Sequence, residues 1–161
     1  MVYIILGSRS DLEYGKAALG VLETFGVKGS LRVASAHRAP AWLHEVIKKG
    51  EKAGVNVFIC AAGGAAHLPG VAASLTTRPV LGVGIPAKYL GGLDSLMSLI
   101  QMPAGVPVAF CGLGDTGMKN AAYCALQILA LNDKKLSAKL DEYKKKLERE
   151  NREANDGAKV G

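Results

Sequence analysis

Five short apolar runs alternate along the chain with longer stretches whose apolar residues recur every three or four positions. The runs are "VYIIL" (2–6), "GSLRVAS" (29–35), one within "VNVFICAAGG" (55–64), "RPVLGVGI" (78–85) and one within "GVPVAFCGLG" (105–114). Short, β-branched and closed by glycine or small polar residues, they predict buried strands. The first longer stretch, "LEYGKAALGVLETFG", places Leu12, Ala18, Leu19, Leu22 and Phe25 on one helical face. Ser10 or Asp11 is its predicted N-cap and Gly26 its stop. "APAWLHEVIKKGEKAG" predicts a second helix with Pro40 in its first turn. "AAHLPGVAASLTT" reads as a small-residue helix or turn, and "LGGLDSLMSLIQM" and "TGMKNAAYCALQILALN" as further helices. From Asp133 onward Leu136, Leu140, Tyr143 and Leu147 form one stripe of a charged helix, and the end frays from about Asn155.

Strands alternating with helices predict a parallel sheet covered on both faces, a three-layer αβα sandwich. The default for five such units is the flavodoxin-like order 2-1-3-4-5, in a single domain of 161 residues with its core over about 1–133. In that topology ligands bind outside the carboxyl ends of the strands, so functional loops follow strands.

Three loops meet that condition. "GSRSD" (7–11) leads from the first strand into a helix N-terminus, where Gly7 allows close approach and Ser8 and Ser10 offer hydroxyls. Free N–H groups and the helix dipole make such a turn a phosphate cradle, although a plain capped turn has the same residues. Asp11 is either a cap or an acceptor for ribose hydroxyls. In "SAHRAP" (35–40), Arg38 brings a cationic fork suited to phosphate, and His37 a group able to give or take a proton near neutral pH. "AAGGAAHLPG" (61–70) spends four positions on Gly63, Gly64, Ala65 and Ala66 before His67. That predicts a wall against which a ligand lies close to backbone. His44, inside a helical pattern, reads as a surface residue.

Composition narrows the function classes. Half the residues are hydrophobic (49%) and only 6% aromatic, which argues against base-stacking nucleic-acid platforms. The net charge of +6 resides largely in the mixed-charge stretch 134–152, the pattern of a solvated helix. Cys60, Cys111 and Cys124 lack metal-ligand spacing and read as buried free thiols in a reducing compartment. No signal peptide and no apolar run of about 18 residues is apparent, so a cytoplasmic protein without membrane contact is expected. "GLGDTG" (112–117) matches the GxGxxG spacing and follows a strand. The second strand and acidic residue that a dinucleotide fold needs about 20 positions on are missing, so NAD is rejected. Pro86 excludes the same reading of "GVGIPA" (82–87), and there is no GxxxxGK[ST].

"GSRSD", "SAHRAP", "AAGGAAHLPG" and "GLDSLMSLIQMPAGVPVA" together resemble the class I N5-carboxyaminoimidazole ribonucleotide mutases of purine biosynthesis, over roughly Val2 to Asp133. The resemblance implies a carboxylate moved from the exocyclic nitrogen of an aminoimidazole ribonucleotide to ring carbon C4. It proceeds by loss and recapture of CO2 and removal of the C4 proton, with no metal or cofactor. It implies His37 as general acid–base, with Ser8, Asp11 and Arg38 binding substrate. Arg38 and Ser10 fall near the phosphate and Asp11 on the ribose. Ser35, Gly63, Ala65, His67 and Leu68 match residues lining the base and CO2 pocket; Ala36 and Gly64 complete the expected substrate-binding set. Family members are homo-octamers, with no nucleic acid or membrane partner. The related class II carboxylases, which use CO2 directly, carry Ser-Asn where this chain has Ala66-His67. A class II carboxylase and a non-catalytic flavodoxin-like nucleotide-binding module remain the alternatives. Two departures stand out: Gly84 where the family pattern has proline, and the "GLGDTGMKNAA" turn.

Overall fold

A computed structural model describes residues 1–88 and 90–157. The apolar runs become strands β1 (Val2–Leu6), β2 (Gly29–Val33), β3 (Val57–Gly63), β4 (Val80–Ile85) and β5 (Ala109–Leu113), all parallel, in the order 2-1-3-4-5. β1, β3 and β4 are buried along almost their whole length, which is why they read as unbroken apolar runs. The periodic stretches become α1 (Leu12–Thr24), α2 (Pro40–Lys52), α3 (Leu68–Leu75), α4 (Leu93–Ile100), α5 (Gly114–Ala130) and α6 (Lys134–Gly157). "AAHLPGVAASLTT" thus resolves as a helix rather than a turn.

The chain forms two compact units, Met1–Leu126 and Gln127–Gly161. In the first, one face of the sheet packs Tyr3, Ile5, Phe58, Cys60 and Val80 against Leu43, Val46 and Ile47 of α2, Leu68 and Ala72 of α3, and Leu99 of α4. Each fully buried Leu, Ile or Phe stabilises the unit by about 1.5–3 kcal/mol. The opposite face carries α1 and α5, joined by the edge-on rings of Phe25 and Tyr123. The buried side of α1 centres on Gly15, Ala18 and Leu22 with Phe25 beyond its end, while Leu12 and Leu19 are half-buried at its margin. Gly26 closes the helix at φ 74°. In the second unit the Asp133 carboxylate accepts from the N–H groups of Lys135 and Leu136 and caps α6. Of the predicted stripe, Leu136 is buried, Leu140 and Tyr143 are half-buried, and Leu147 is exposed. The helix runs to Gly157, past the expected start of fraying, and the remaining tail lies outside the described residues.

Two boundaries differ from the pattern. β2 ends at Val33 because the chain then turns: Ala34 N–H still donates to Leu6, but Ser35 accepts from Ala39 N–H through its carbonyl. At the start of α1, a 3-10 turn (Arg9–Asp11) precedes the helix. Asp11 takes the N-cap position of α1, one of the two expected, but its side chain makes no capping bond; the Ser8 hydroxyl caps the 3-10 turn ahead of it, accepting from Ser10 N–H. The Asp11 carboxylate is therefore left for other partners.

Candidate active site

The loops after β1, β2 and β3 meet above the carboxyl ends of the strands and enclose a cleft of about 650 Å³ within the first unit. Its wall carries Ser8, Ser10, Asp11, Ser35, Ala36, His37, Arg38, Gly63, Ala65 and Leu68, ten of the predicted site residues. Gly64 is not on the wall; at φ 65° it makes the turn that swings the third loop back over the sheet. His67 is not on the wall either and meets the cleft through His37.

The polar groups are ordered by their neighbours. The Ser8 and Ser10 hydroxyls are 2.9 Å apart, and the Ser10 hydroxyl is 2.9 Å from Asp11 Oδ1. A carboxylate only accepts, so the single Ser10 proton goes to Asp11 and Ser8 donates to Ser10. Ser8 Oγ also accepts from Ser10 N–H. On the second loop, Ser35 Oγ accepts from the Arg38 N–H at 3.1 Å, and the Arg38 guanidinium reaches the Gly7 carbonyl at 3.4 Å. That contact ties the second loop to the first and leaves the exposed fork facing solvent and cleft. Trp42, in the first turn of α2, donates its indole N–H to the Val33 carbonyl at 3.1 Å. It thereby pins the end of β2 from which His37 is hung.

His37 Nε2 and His67 Nδ1 lie 2.9 Å apart, with the rings edge to face at 83° and centroids 5.0 Å apart. One proton sits between the two nitrogens, donated by either ring. In the neutral pair the donor ring's other nitrogen is bare and the acceptor ring's other nitrogen carries that ring's own proton, so a proton taken up at the bare end can be passed on through the shared bond without either ring moving. The backbone supports this arrangement: His67 N–H donates to Ala65 and its carbonyl accepts from Val71 in α3.

Four cleft residues had no signal in the motifs. Tyr14 arrives one helical turn after Asp11, and Ile85, Pro86 and Ala87 follow β4. The rule that loops after strands form the crevice points to 85–87; nothing in the local pattern singles out Tyr14. His44 is on the surface, as its helical context predicts. The cysteines stand apart from the cleft wall. Cys60 is wholly buried, which pushes its thiol up, and Cys111 is pushed up to about 12 by burial first and the neighbouring Cys124 thiol second. No group of three or more metal-ligating side chains occurs among the described residues.

The family model for AIR carboxylase matches residues 1–150. The chain belongs to the AIR carboxylase family. It is 50% identical over 142 residues to a Saccharolobus solfataricus protein named N5-carboxyaminoimidazole ribonucleotide mutase, covering 88% of this chain and 89% of that one. A Methanocaldococcus jannaschii protein of the same name is 51% identical over 149 residues, covering 92% and 91%. The crystal structure of Treponema denticola PurE superposes with a TM-score of 0.90 at 26% identity over 98% of both chains.

Both departures from the AIR carboxylase pattern have packing causes. A Cβ at Gly84 would lie 2.5 Å from a Leu113 methyl and 2.7 Å from Ser95 Oγ, so a larger residue there would force Leu113 and Ser95 to shift. In "GLGDTG", Gly112 and Gly114 take φ of 116° and 57° to turn β5 into α5, and Gly117 lets the helix lie directly on the Gly112 backbone. The glycine spacing serves strand-to-helix packing, and none of the three glycines lies on the cleft wall.

Proposed function

We propose that this chain is an N5-carboxyaminoimidazole ribonucleotide mutase, moving the carboxylate from the exocyclic nitrogen to ring C4. The observation that carries the reading is the His37–His67 pair at 2.9 Å beside a cleft that also holds Arg38, Ser10 and Asp11. An anionic ribonucleotide needs a fixed cation and hydroxyl donors at its phosphate, an acceptor at its ribose, and one group that moves a proton. Arg38 takes the phosphate together with Ser10, whose hydroxyl proton swings from Asp11 to the phosphate as Asp11 takes the ribose hydroxyls, and Ser8 holds Ser10 in place. Ser35, Ala36, Gly63, Ala65 and Leu68 shape the space around the base, with Gly64 making the turn behind them, and their small side chains keep released CO2 beside C4. His37 gives a proton to the exocyclic nitrogen as CO2 leaves, and takes the C4 proton in its place after CO2 is recaptured at C4, so the histidine pair ends as it began. His67, bonded to His37, fixes the ring orientation and receives or returns that proton. The chain's own groups suffice for this chemistry, since only protons and one CO2 move. We further propose that the whole chain works as one catalytic domain, that it assembles as a homo-octamer, and that it acts in the cytoplasm.

The test supplies freshly prepared N5-carboxyaminoimidazole ribonucleotide without bicarbonate and follows the C4-carboxylated product by absorbance. The wild type turns over, and His37→Asn loses on the order of 10²–10⁴ in kcat while still binding substrate. Turnover only from aminoimidazole ribonucleotide plus bicarbonate would make the chain a direct carboxylase and overturn the reading. Silence with both substrates would leave a nucleotide-binding module.

A further inference from the structure

We infer that Tyr14 is a substrate-binding residue of this cleft, its phenol hydroxyl donating to a ribose oxygen beside Asp11. The ligand's identity rests on the mutase reading; the contact itself rests on the cleft. Among the described residues Tyr14 is the only phenol on the cleft wall, and it lies on α1 three residues after Asp11 and four after Ser10. Those spacings place all three on one edge of the helix entrance. The ring is backed by the turn at the start of α5: a Cβ on Gly114 would sit 3.7 Å from Tyr14 Cε1 and 3.6 Å from Pro86. The ring edge thus lies near the Gly114 backbone and Pro86 with ordinary van der Waals room between them. No hydrogen bond to the Tyr14 hydroxyl forms among the described residues.

The chemistry identifies the partner. A ribose diol offers two hydroxyls, each a donor and an acceptor. Asp11, free of any helix cap, accepts from them but donates nothing. A phenol one turn away supplies the missing donor to the same diol. Arg38 and the serine hydroxyls already serve the phosphate, and the histidine pair comes from the loops after β2 and β3, so the base end needs no phenol. Tyr14 is therefore a specificity residue for a ribosyl group and takes no part in the proton transfer.

The experiment compares wild type with Tyr14→Phe, which keeps the ring and removes only the hydroxyl. Calorimetric titration uses two probes, ribose 5-phosphate and inorganic phosphate, and mutase kinetics are recorded in parallel. Tyr14→Phe weakens ribose 5-phosphate about three- to tenfold, the loss expected for one hydrogen bond, and leaves inorganic phosphate unchanged. KM rises by the same factor with kcat unaltered. Equal affinity for ribose 5-phosphate in both proteins, an equal loss of both probes, or a fall in kcat at constant KM would each overturn the assignment. If the wild type lacks mutase turnover yet shows the ribose-selective loss in the variant, the functional reading falls and the Tyr14 contact stands.

Discussion

Replacing Gly117 by alanine tests whether the "GLGDTG" turn is a packing device. Alanine is the better helix former by up to about 1 kcal/mol, so propensity alone predicts stabilisation. The geometry predicts the opposite. The new Cβ would lie 2.6 Å from the Gly112 carbonyl carbon and 2.7 Å from its oxygen, roughly 1 Å inside ordinary contact. Both are backbone atoms, so no side-chain rotation relieves the clash, and α5 must lift from β5. Overpacking of this kind costs about 3 kcal/mol, at the upper end of the usual range, leaving a net loss of about 2 kcal/mol. For a chain of this length that lowers Tm by roughly 4–8 °C. Gly20→Ala is the matched control. It lies within α1, is exposed, and a Cβ there meets nothing within 4 Å. Only propensity acts, so its Tm rises by roughly 2–4 °C. Differential scanning calorimetry on the two variants and the parent gives the signs. A Gly117→Ala protein as stable as the parent would refute the packing argument and return the glycines to a ligand-binding explanation.

Two further outcomes follow from the structure. Trp42→Phe keeps an aromatic ring but removes the indole donor to the Val33 carbonyl, so the loop carrying His37 loosens. kcat/KM falls roughly three- to tenfold with little change in Tm, and unchanged kinetics would mean that Trp42 does not position that loop. Glu51 is held below the usual carboxylate range by the Thr76 hydroxyl first and by Lys48 second. A depressed folded value stabilises above the ordinary carboxylate pKa of about 4.3 and is lost as pH falls through the folded value. Glu51→Gln therefore lowers Tm slightly at pH 7, by under about 1 kcal/mol of stability for this partly exposed pair, and the difference closes as pH falls below the ordinary carboxylate range and through the lowered folded value. A difference independent of pH would refute that linkage.

The element order, the parallel sheet and the three loops were legible from the chain because each rests on short-range pattern. A buried parallel strand must be apolar throughout, an amphipathic helix must repeat near 3.6, and a crevice in this topology must follow strand ends. The AIR carboxylase resemblance was legible for the same reason, as four ordered motifs of contiguous residues. Packing across elements decided the rest. His37 and His67 are 30 positions apart and become partners because β1 brings the loops after β2 and β3 side by side. Ser8 rather than Asp11 caps the first turn because the 3-10 geometry turns Ser8 Oγ toward the Ser10 N–H. Tyr14 and Pro86 come together on the cleft wall near Gly114 from α1 and the end of β4, and Gly84 is packed closely by Leu113 from the next strand. Local pattern specifies which way a residue faces on its own element. Which residue stands opposite is set by the order of strands and by distances of a few ångströms, and those exist only once the sheet has formed.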